Sequence, residues 1–221
     1  MHKSIALSAA VEKIPDGASV MIGGFLAVGS PHRLIAELVR QGRKDLTLIA
    51  NDTARPGLGI GQLIDAKRVR KLIACHIGTN PETQRQMIAG EMIVELTPQG
   101  TIAERIRAAG HGLGGVLIPT GIGTIVAEGK REVEVEGRKF LLGLPLAADF
   151  ALIAAHRADY YGNLTYTMTA RNFNPVMAMA AKTVIAEAAE IVPVGVIPPD
   201  DVMTPATLVD YLVERETVNG R

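Results

Sequence analysis

The sequence predicts an α/β fold: an open, mostly parallel sheet with helices on both faces and one β-hairpin insertion. Three observations carry this. Short apolar runs alternate with amphipathic stretches at helical spacing along the chain. Runs such as Leu46-Thr47-Leu48-Ile49-Ala50 are apolar throughout their later half, as strands are when helices cover both faces of a sheet. Glycine-rich or polar segments follow these runs immediately, where open α/β sheets place their ligand-binding loops. Residues 1–221 are expected to form one domain, with the hairpin near 131–142.

The elements follow in order. Leu7 to Lys13 reads as a short helix closed by the turn Pro15-Asp16-Gly17. Ser19 to Ile22 is a strand that runs into Gly23-Gly24-Phe25-Leu26-Ala27-Val28-Gly29. His32 to Gln41 then places Leu34, Ile35, Leu38 and Val39 on one helical face, with Gly42 after it as a cap. Asp45 to Ala50 is a second strand, and Gln62 to Asp65 a short helix. A strand at Leu72 to Cys75 leads to His76-Ile77-Gly78-Thr79-Asn80-Pro81, whose proline opens a helix that ends at Gly90. Met92 to Thr97 is a strand and Thr101 to Ala109 a helix. Gly110 to Gly123 holds six glycines and reads as a long loop of the kind that serves a site. Val133 and Val135 alternate with Glu132, Glu134 and Glu136 before a turn at Gly137, which is the pattern of a hairpin. Phe150 to Ala154 is a strand, His156 to Asp159 a loop, and Gly162 to Tyr166 a turn into extended chain. Val176 to Ala181 is a helix, Thr183 to Glu187 a strand, and Pro205 to Glu216 a closing amphipathic helix.

Composition narrows the function. The chain is 48% hydrophobic and 21% charged, which suits a buried core. Basic and acidic residues balance at 23 each, and aromatics are 4% with no Trp, so neither a polyanion-binding surface nor a base-stacking platform is expected. Nucleic acid is therefore not an expected partner. No apolar stretch approaches the roughly 20 residues that span a bilayer, and no signal peptide is read at the N-terminus. A lone cysteine, Cys75, rules out an intramolecular disulfide framework and fits a reducing, cytoplasmic setting.

The glycines at 23, 24 and 29 admit a ligand against the backbone, with the positive end of the following helix facing an anion. They also suit a tight turn with packing glycines, and spacing alone does not decide. The pattern is neither a dinucleotide fingerprint nor a P-loop. His76, His111 and His156 lack metal-ligand spacing, so no metal is expected. Cys75, at the end of an apolar strand, reads as a buried inert thiol. Ser30 and Thr53 have no neighbouring base. Asn51, Asp52, Asn80 and Gln99 each fall just past a strand end and together mark one edge of the sheet as a candidate site. Gln99 offers a neutral amide donor for charge developing on a carbonyl oxygen. Glu12, Glu37, Glu104, Glu214 and Glu216 are placed on helix surfaces. No glutamate stands in the glycine-flanked, strand-end setting of a nucleophile.

Several strings carry a resemblance. Val20-Met21-Ile22-Gly23-Gly24-Phe25 with Gly29-Ser30-Pro31 resembles the alpha-subunit signature of family I CoA-transferases. So do Ile49 to Thr53, His76 to Thr83, Leu96 to Thr101, Pro119 to Thr124 and Ala170 to Pro175. The Asn-Asp-Thr and His-Ile-Gly-Thr-Asn-Pro strings favour the acetate (butyrate–acetoacetate) branch over succinyl-CoA:3-oxoacid transferases, which stay as the alternative beside a non-catalytic ligand-binding domain. Ala27-Val28 departs from relatives that often carry a further glycine.

The resemblance implies the CoA-transferase/NagB-like fold and a covalent mechanism. A glutamate attacks an acyl-CoA to give an acyl–glutamyl anhydride. CoA then forms a glutamyl–CoA thioester, and an acceptor acid takes over the CoA. In split-subunit members that glutamate lies in a Ser-Glu-Asn-Gly string of the beta subunit, which this chain lacks. The implied partner is therefore a beta subunit, in a heterotetramer of two alpha and two beta chains. CoA and acyl-CoA are substrates, with no permanently bound cofactor, and short-chain carboxylates are the acids. By the same resemblance Gly23, Gly24, Phe25, Leu26, Ala27, Val28 and Gly29 contact CoA, Gln99 is an oxyanion donor, and Asn51 and Asn80 line the site.

Overall fold

The computed structural model describes residues 3–213. Its elements are α1 (Leu7–Glu12), β1 (Ser19–Ile22), α2 (His32–Arg40), β2 (Leu46–Ile49), α3 (Gly61–Asp65), β3 (Val69–Ala74), α4 (Pro81–Ile88), β4 (Ile93–Leu96), α5 (Gln99–Gly110), β5 (Val116–Ile118), β6 (Glu132–Val135), β7 (Arg138–Gly143), β8 (Ala148–Asp159), β9 (Leu164–Thr165), α6 (Asn174–Ala178), β10 (Ala181–Val192) and β11 (Tyr211–Val213). The main sheet has the order β11-β10-β8-β1-β2-β3-β4, and every pair along that path is parallel. β9 folds back antiparallel on β8. A second, antiparallel sheet has the order β5-β7-β6.

Successive strand residues point to opposite faces, and both faces are filled. Val20, Ile22, Leu48 and Leu72 join Leu34, Ile35 and Leu38 of α2 and Leu63 and Ile64 of α3 in one core. Met21, Ile49 and Ile73 join Ile102 and Ile106 of α5 and Met177 of α6 in the other. No helix among the described residues is long and apolar enough to cross a membrane.

The chain leaves β1 for β2, β3 and β4 on one side and then returns to place β8 on the other. The crevice of such a sheet lies at this reversal, beyond the carboxyl ends of β1 and β8. The segment 23–29 begins there.

Four sequence expectations are corrected. The closing helix over 205–216 is absent over its described part: residues 206–208 form one 3₁₀ turn and Tyr211–Val213 is a strand. Its register against Ile185, Ala186 and Glu187 of β10, and the bridge of Leu212 to Ser4, supply backbone partners that a helix would forgo. Residues 214–216, with Glu214 and Glu216, lie outside the described residues. His156 to Asp159 is strand rather than loop, because β10 pairs with β8 from Ala148 to Asp159. The glycine-rich stretch 110–123 contains β5, which adds a third strand to the predicted hairpin. Glu37 is buried, and its carboxylate accepts two 2.6 Å bonds from Arg40 and one from Gln41.

Candidate functional site

The segment after β1 is a turn of unusual composition. Phe25 and Val28 exchange two backbone hydrogen bonds, at 3.0 and 2.9 Å, across Leu26 and Ala27. Both central residues have positive φ, 47° and 72°, as a type I′ turn requires. Leu and Ala resist this conformation, so the surroundings must hold it.

Two asparagines do. Asn172 accepts the Gly24 N–H through Oδ1 and donates through Nδ2 to the Val28 carbonyl. Asn174 donates to the carbonyls of Gly29 and Ala170 and accepts the N–H of Ala154 on β8. The base of the turn is fixed by Ser30, whose hydroxyl donates to the Gly23 carbonyl. A Cβ on Gly24 would lie 2.0 Å from that hydroxyl oxygen.

The amides of Gly23, Gly24, Phe25, Leu26 and Val28 all donate within the protein. The positive end of α2 is also closed: the N–H groups of Arg33 and Leu34 both donate to Glu187 Oε2 on β10, at 3.0 Å each. Five of the amides expected to face an anion, and two at the start of α2, thus already donate to the protein's own groups. What the turn presents outward is side chain. Phe25, Leu26 and Val28 are 44%, 39% and 50% exposed.

Two clefts meet under this turn. One, of about 360 Å³, is lined by Phe25, Leu26, Asn51, Asp52, Cys75, His76, Thr79 and Gln99. The other, of about 450 Å³, is lined by Phe25, Gln99, Ala103, Arg107, Arg171, Asn172, Phe173, Pro175, Val176 and Met179. Phe25 and Gln99 belong to both and stand at the join.

Gln99 is the first residue of α5. Its Nε2 donates to Asn51 Oδ1 at 2.6 Å. Asn51 Nδ2 donates to Asp52 Oδ2 at 2.7 Å, and the same oxygen accepts the Leu26 N–H at 2.9 Å. Asp52 Oδ1 accepts the Ala54 N–H at 2.7 Å. The carboxylate is buried and its lone pairs are engaged by three donors, which leaves a poor nucleophile. The Cys75 thiol approaches the Asn51 backbone carbonyl at 2.8 Å and Asn51 Oδ1 at 3.2 Å. Burial, then the nearby Asp52 charge, push this thiol up to about 11, so it is protonated at neutral pH.

The sequence-predicted site residues are therefore gathered unequally. Gln99, Asn51, Asp52, Phe25 and Leu26 meet at the clefts, and the glycines at 23, 24 and 29 shape the turn above them. Ala27 is buried beside Gly59. Asn80 is fully buried and lines neither cleft: its Oδ1 caps α4 by accepting the N–H groups of Glu82 and Thr83, and its Nδ2 donates to the Thr53 carbonyl. Asn172, Asn174, Arg171 and Phe173 had no role assigned from sequence. The signal lies in Asn172-Phe173-Asn174-Pro175, two amide side chains at the start of a helix.

Residues 4–215 match the family model for coenzyme A transferase. The chain is 53% identical over 211 residues to the acetate CoA-transferase subunit alpha of Escherichia coli K12, covering 96% of each. It is 51% identical over 199 residues to the acetoacetyl-CoA:acetate/butyrate CoA transferase alpha subunit of Clostridium acetobutylicum, covering 90% of this chain and 91% of that one. Among solved structures, glutaconate coenzyme A-transferase from Acidaminococcus fermentans shares the fold at TM-score 0.84 and 24% identity, over 96% of this chain and 75% of that one. An acyl-CoA transferase of Escherichia coli O157:H7 matches at TM-score 0.86 and 23% identity over 97% of this chain, which spans 47% of the larger protein.

Proposed function

The chain belongs to the coenzyme A transferase family as an alpha-type subunit, and from that premise we propose that it builds half of a site that moves CoA between acetoacetyl-CoA, or another short-chain acyl-CoA, and acetate. The other half is a beta subunit that brings the nucleophilic glutamate, in a heterotetramer of two alpha and two beta chains acting in the cytoplasm. The relatives of Escherichia coli and Clostridium acetobutylicum are named for these acids, and the small clefts suit small acyl groups.

One observation carries the reading. The clefts hold a neutral, oriented amide donor in Gln99, while their carboxylate, Asp52, is buried and bound by three donors and their thiol, Cys75, stays protonated. A site with a donor for a carbonyl oxygen but no free carboxylate is complete only when another chain adds one. The exposed apolar side chains of the turn, Phe25, Leu26 and Val28, give that chain a surface to cover.

The chemistry then proceeds in two half-reactions. The partner's glutamate carboxylate attacks the thioester carbonyl, the C–S bond breaks, and an acyl–glutamyl anhydride forms with release of CoA thiolate. The thiolate attacks the glutamyl carbonyl, the donor acid leaves as its carboxylate, and glutamyl–CoA remains. The acceptor carboxylate reverses these steps. Gln99 donates to the oxygen that becomes negative in each addition. The turn 23–29 offers an apolar surface, through Phe25, Leu26 and Val28, suited to the pantetheine arm of CoA.

The test is purification with and without the beta partner, followed by assay of acetoacetyl-CoA with acetate. The expected result is activity with ping-pong kinetics in the assembled enzyme only. Turnover by this chain alone overturns the reading.

A further inference from the structure

We propose that Asp52 is a positioning residue: it fixes which face of the Gln99 amide donates, and it ties that donor to the turn 23–29. The inference rests on the reading of Gln99 as an oxyanion donor and extends it to the network behind the cleft.

The argument turns on amide orientation. The oxygen and NH₂ of Asn or Gln have nearly the same shape and opposite roles, so an amide's direction is set by its partners. A carboxylate only accepts. Asp52 Oδ2 at 2.7 Å therefore compels Asn51 to turn its Nδ2 inward. Asn51 Oδ1 must then face the other way, where it meets Gln99 Nε2 at 2.6 Å and the Cys75 thiol at 3.2 Å. Gln99 must in turn offer NH₂ rather than oxygen to Asn51. One Nε2 hydrogen is used there, which leaves the second for a ligand in the clefts that Gln99 lines.

Asp52 is 4% and Asn51 1% exposed and the bond between them is buried, so water does not compete for the orientation of Asn51; Gln99, exposed at the clefts, takes its direction from Asn51 Oδ1. The carboxylate that starts the relay also holds the Leu26 N–H at 2.9 Å and the Ala54 N–H at 2.7 Å. The strained turn and the donor amide thus share one anchor. With Asn at position 52, a second amide replaces the acceptor-only group and Asn51 can reverse; Gln99 must then turn its oxygen toward Asn51 Nδ2, and its NH₂ leaves the place from which it donates.

The experiment is a double-mutant cycle in the assembled enzyme, with Asp52→Asn, Gln99→Ala and the double variant. Asp52→Asn alone is expected to lower kcat by about tenfold or more, with the acceptor-acid KM moving less than about threefold. In the Gln99→Ala background the same change is expected to alter kcat by less than about twofold, because the group it positions is gone. An equal drop in both backgrounds marks a merely structural role and overturns the relay, while leaving Gln99 as donor intact. Gln99→Ala with unchanged kcat overturns both the relay and the donor reading. Should Asp52→Asn fail to assemble, Asn51→Ala in the same cycle removes the acceptor for Gln99 directly, with the same expected and overturning outcomes.

Discussion

The side chain of Asn174 occupies the space where Gly23 would carry a Cβ: its Oδ1 lies 1.8 Å from that position and accepts the Ala154 N–H at 3.0 Å. A glycine at the end of β1 is thus required by a residue near the start of α6, across the crevice between β1 and β8. Gly23→Ala must displace Asn174 and with it the bonds to Gly29, Ala170 and Ala154. A loss of about 2–3 kcal/mol is expected, read by denaturant unfolding. Gly100, in α5, is the control: a Cβ there meets nothing within 4 Å, and Gly100→Ala should raise stability by about 0.5–1 kcal/mol. Equal effects at the two positions would refute the assignment of Gly23 to a steric role.

Gln99→Ala in the assembled enzyme is expected to lower kcat by about tenfold or more. The interaction is gained as the oxyanion forms, so kcat should fall more than the KM for either substrate rises. A variant with a raised KM and normal kcat would assign Gln99 to ground-state binding.

Asp149 ties three strands at the amino end of the sheet. It accepts 2.8 Å from Lys182 on β10 and, from Ser19 on β1, 2.6 Å through the hydroxyl and 3.1 Å through the N–H. Lys182 first, then Ser19, hold its carboxyl down to about 2. A carboxyl lowered on folding adds stability above its unfolded value, about 4, and that stability is lost as pH falls toward 2. The Tm gap between the native chain and Asp149→Asn should therefore be steady near pH 7 and close between about pH 4 and 2. A gap independent of pH would show that the charge of Asp149 is not what stabilises.

Cys75 gives the opposite sign. A thiol raised from 9.0 to about 11 keeps its proton through neutral pH. Its alkylation by iodoacetamide near pH 8 should be about a hundredfold slower than in the unfolded chain and should rise steadily up to pH 10. The stability tied to this proton is present below pH 9 and is lost as pH rises through 11. Cys75→Ala should retain kcat within about threefold, since no step uses the thiol. Loss of turnover on alkylation at neutral pH would contradict this account.

Much of this architecture was legible because its signals are local. Asn80-Pro81 announced a helix start, and the alternation of apolar runs with amphipathic ones gave the layered sheet. What escaped depends on partners far along the chain. His156 and Arg157 read as polar loop, yet they extend β8 because β10 lies beside them, with Arg157 paired to Glu190 at 2.8 Å. Glu187 reads as an ordinary strand residue and in fact closes α2, more than 150 positions earlier. At the site, Asn51 and Gln99 read as strand-end amides, but the direction in which each donates follows from Asp52 and is not encoded in spacing.

The turn at Leu26-Ala27 yields the last prediction. Its reciprocal bonds between Phe25 and Val28 and its φ values of 47° and 72° are those of a type I′ turn, which favours glycine at the second central position. Ala27 stands there instead, held by Asn172, Asn174 and Asp52. Replacing it with glycine relieves about 1 kcal/mol of left-handed strain, against which the added freedom of the unfolded chain offsets roughly 0.5–1 kcal/mol. Ala27→Gly should therefore leave Tm nearly unchanged and the KM for acyl-CoA within about twofold. Ala27→Val is the contrasting case: a β-branched residue resists positive φ, and Ala27 is buried, 8% exposed, so two further methyls must find room. A loss of about 2–3 kcal/mol and a higher acyl-CoA KM are expected. Tolerance of valine, measured as an unchanged melting curve, would mean that the turn is not held in this conformation.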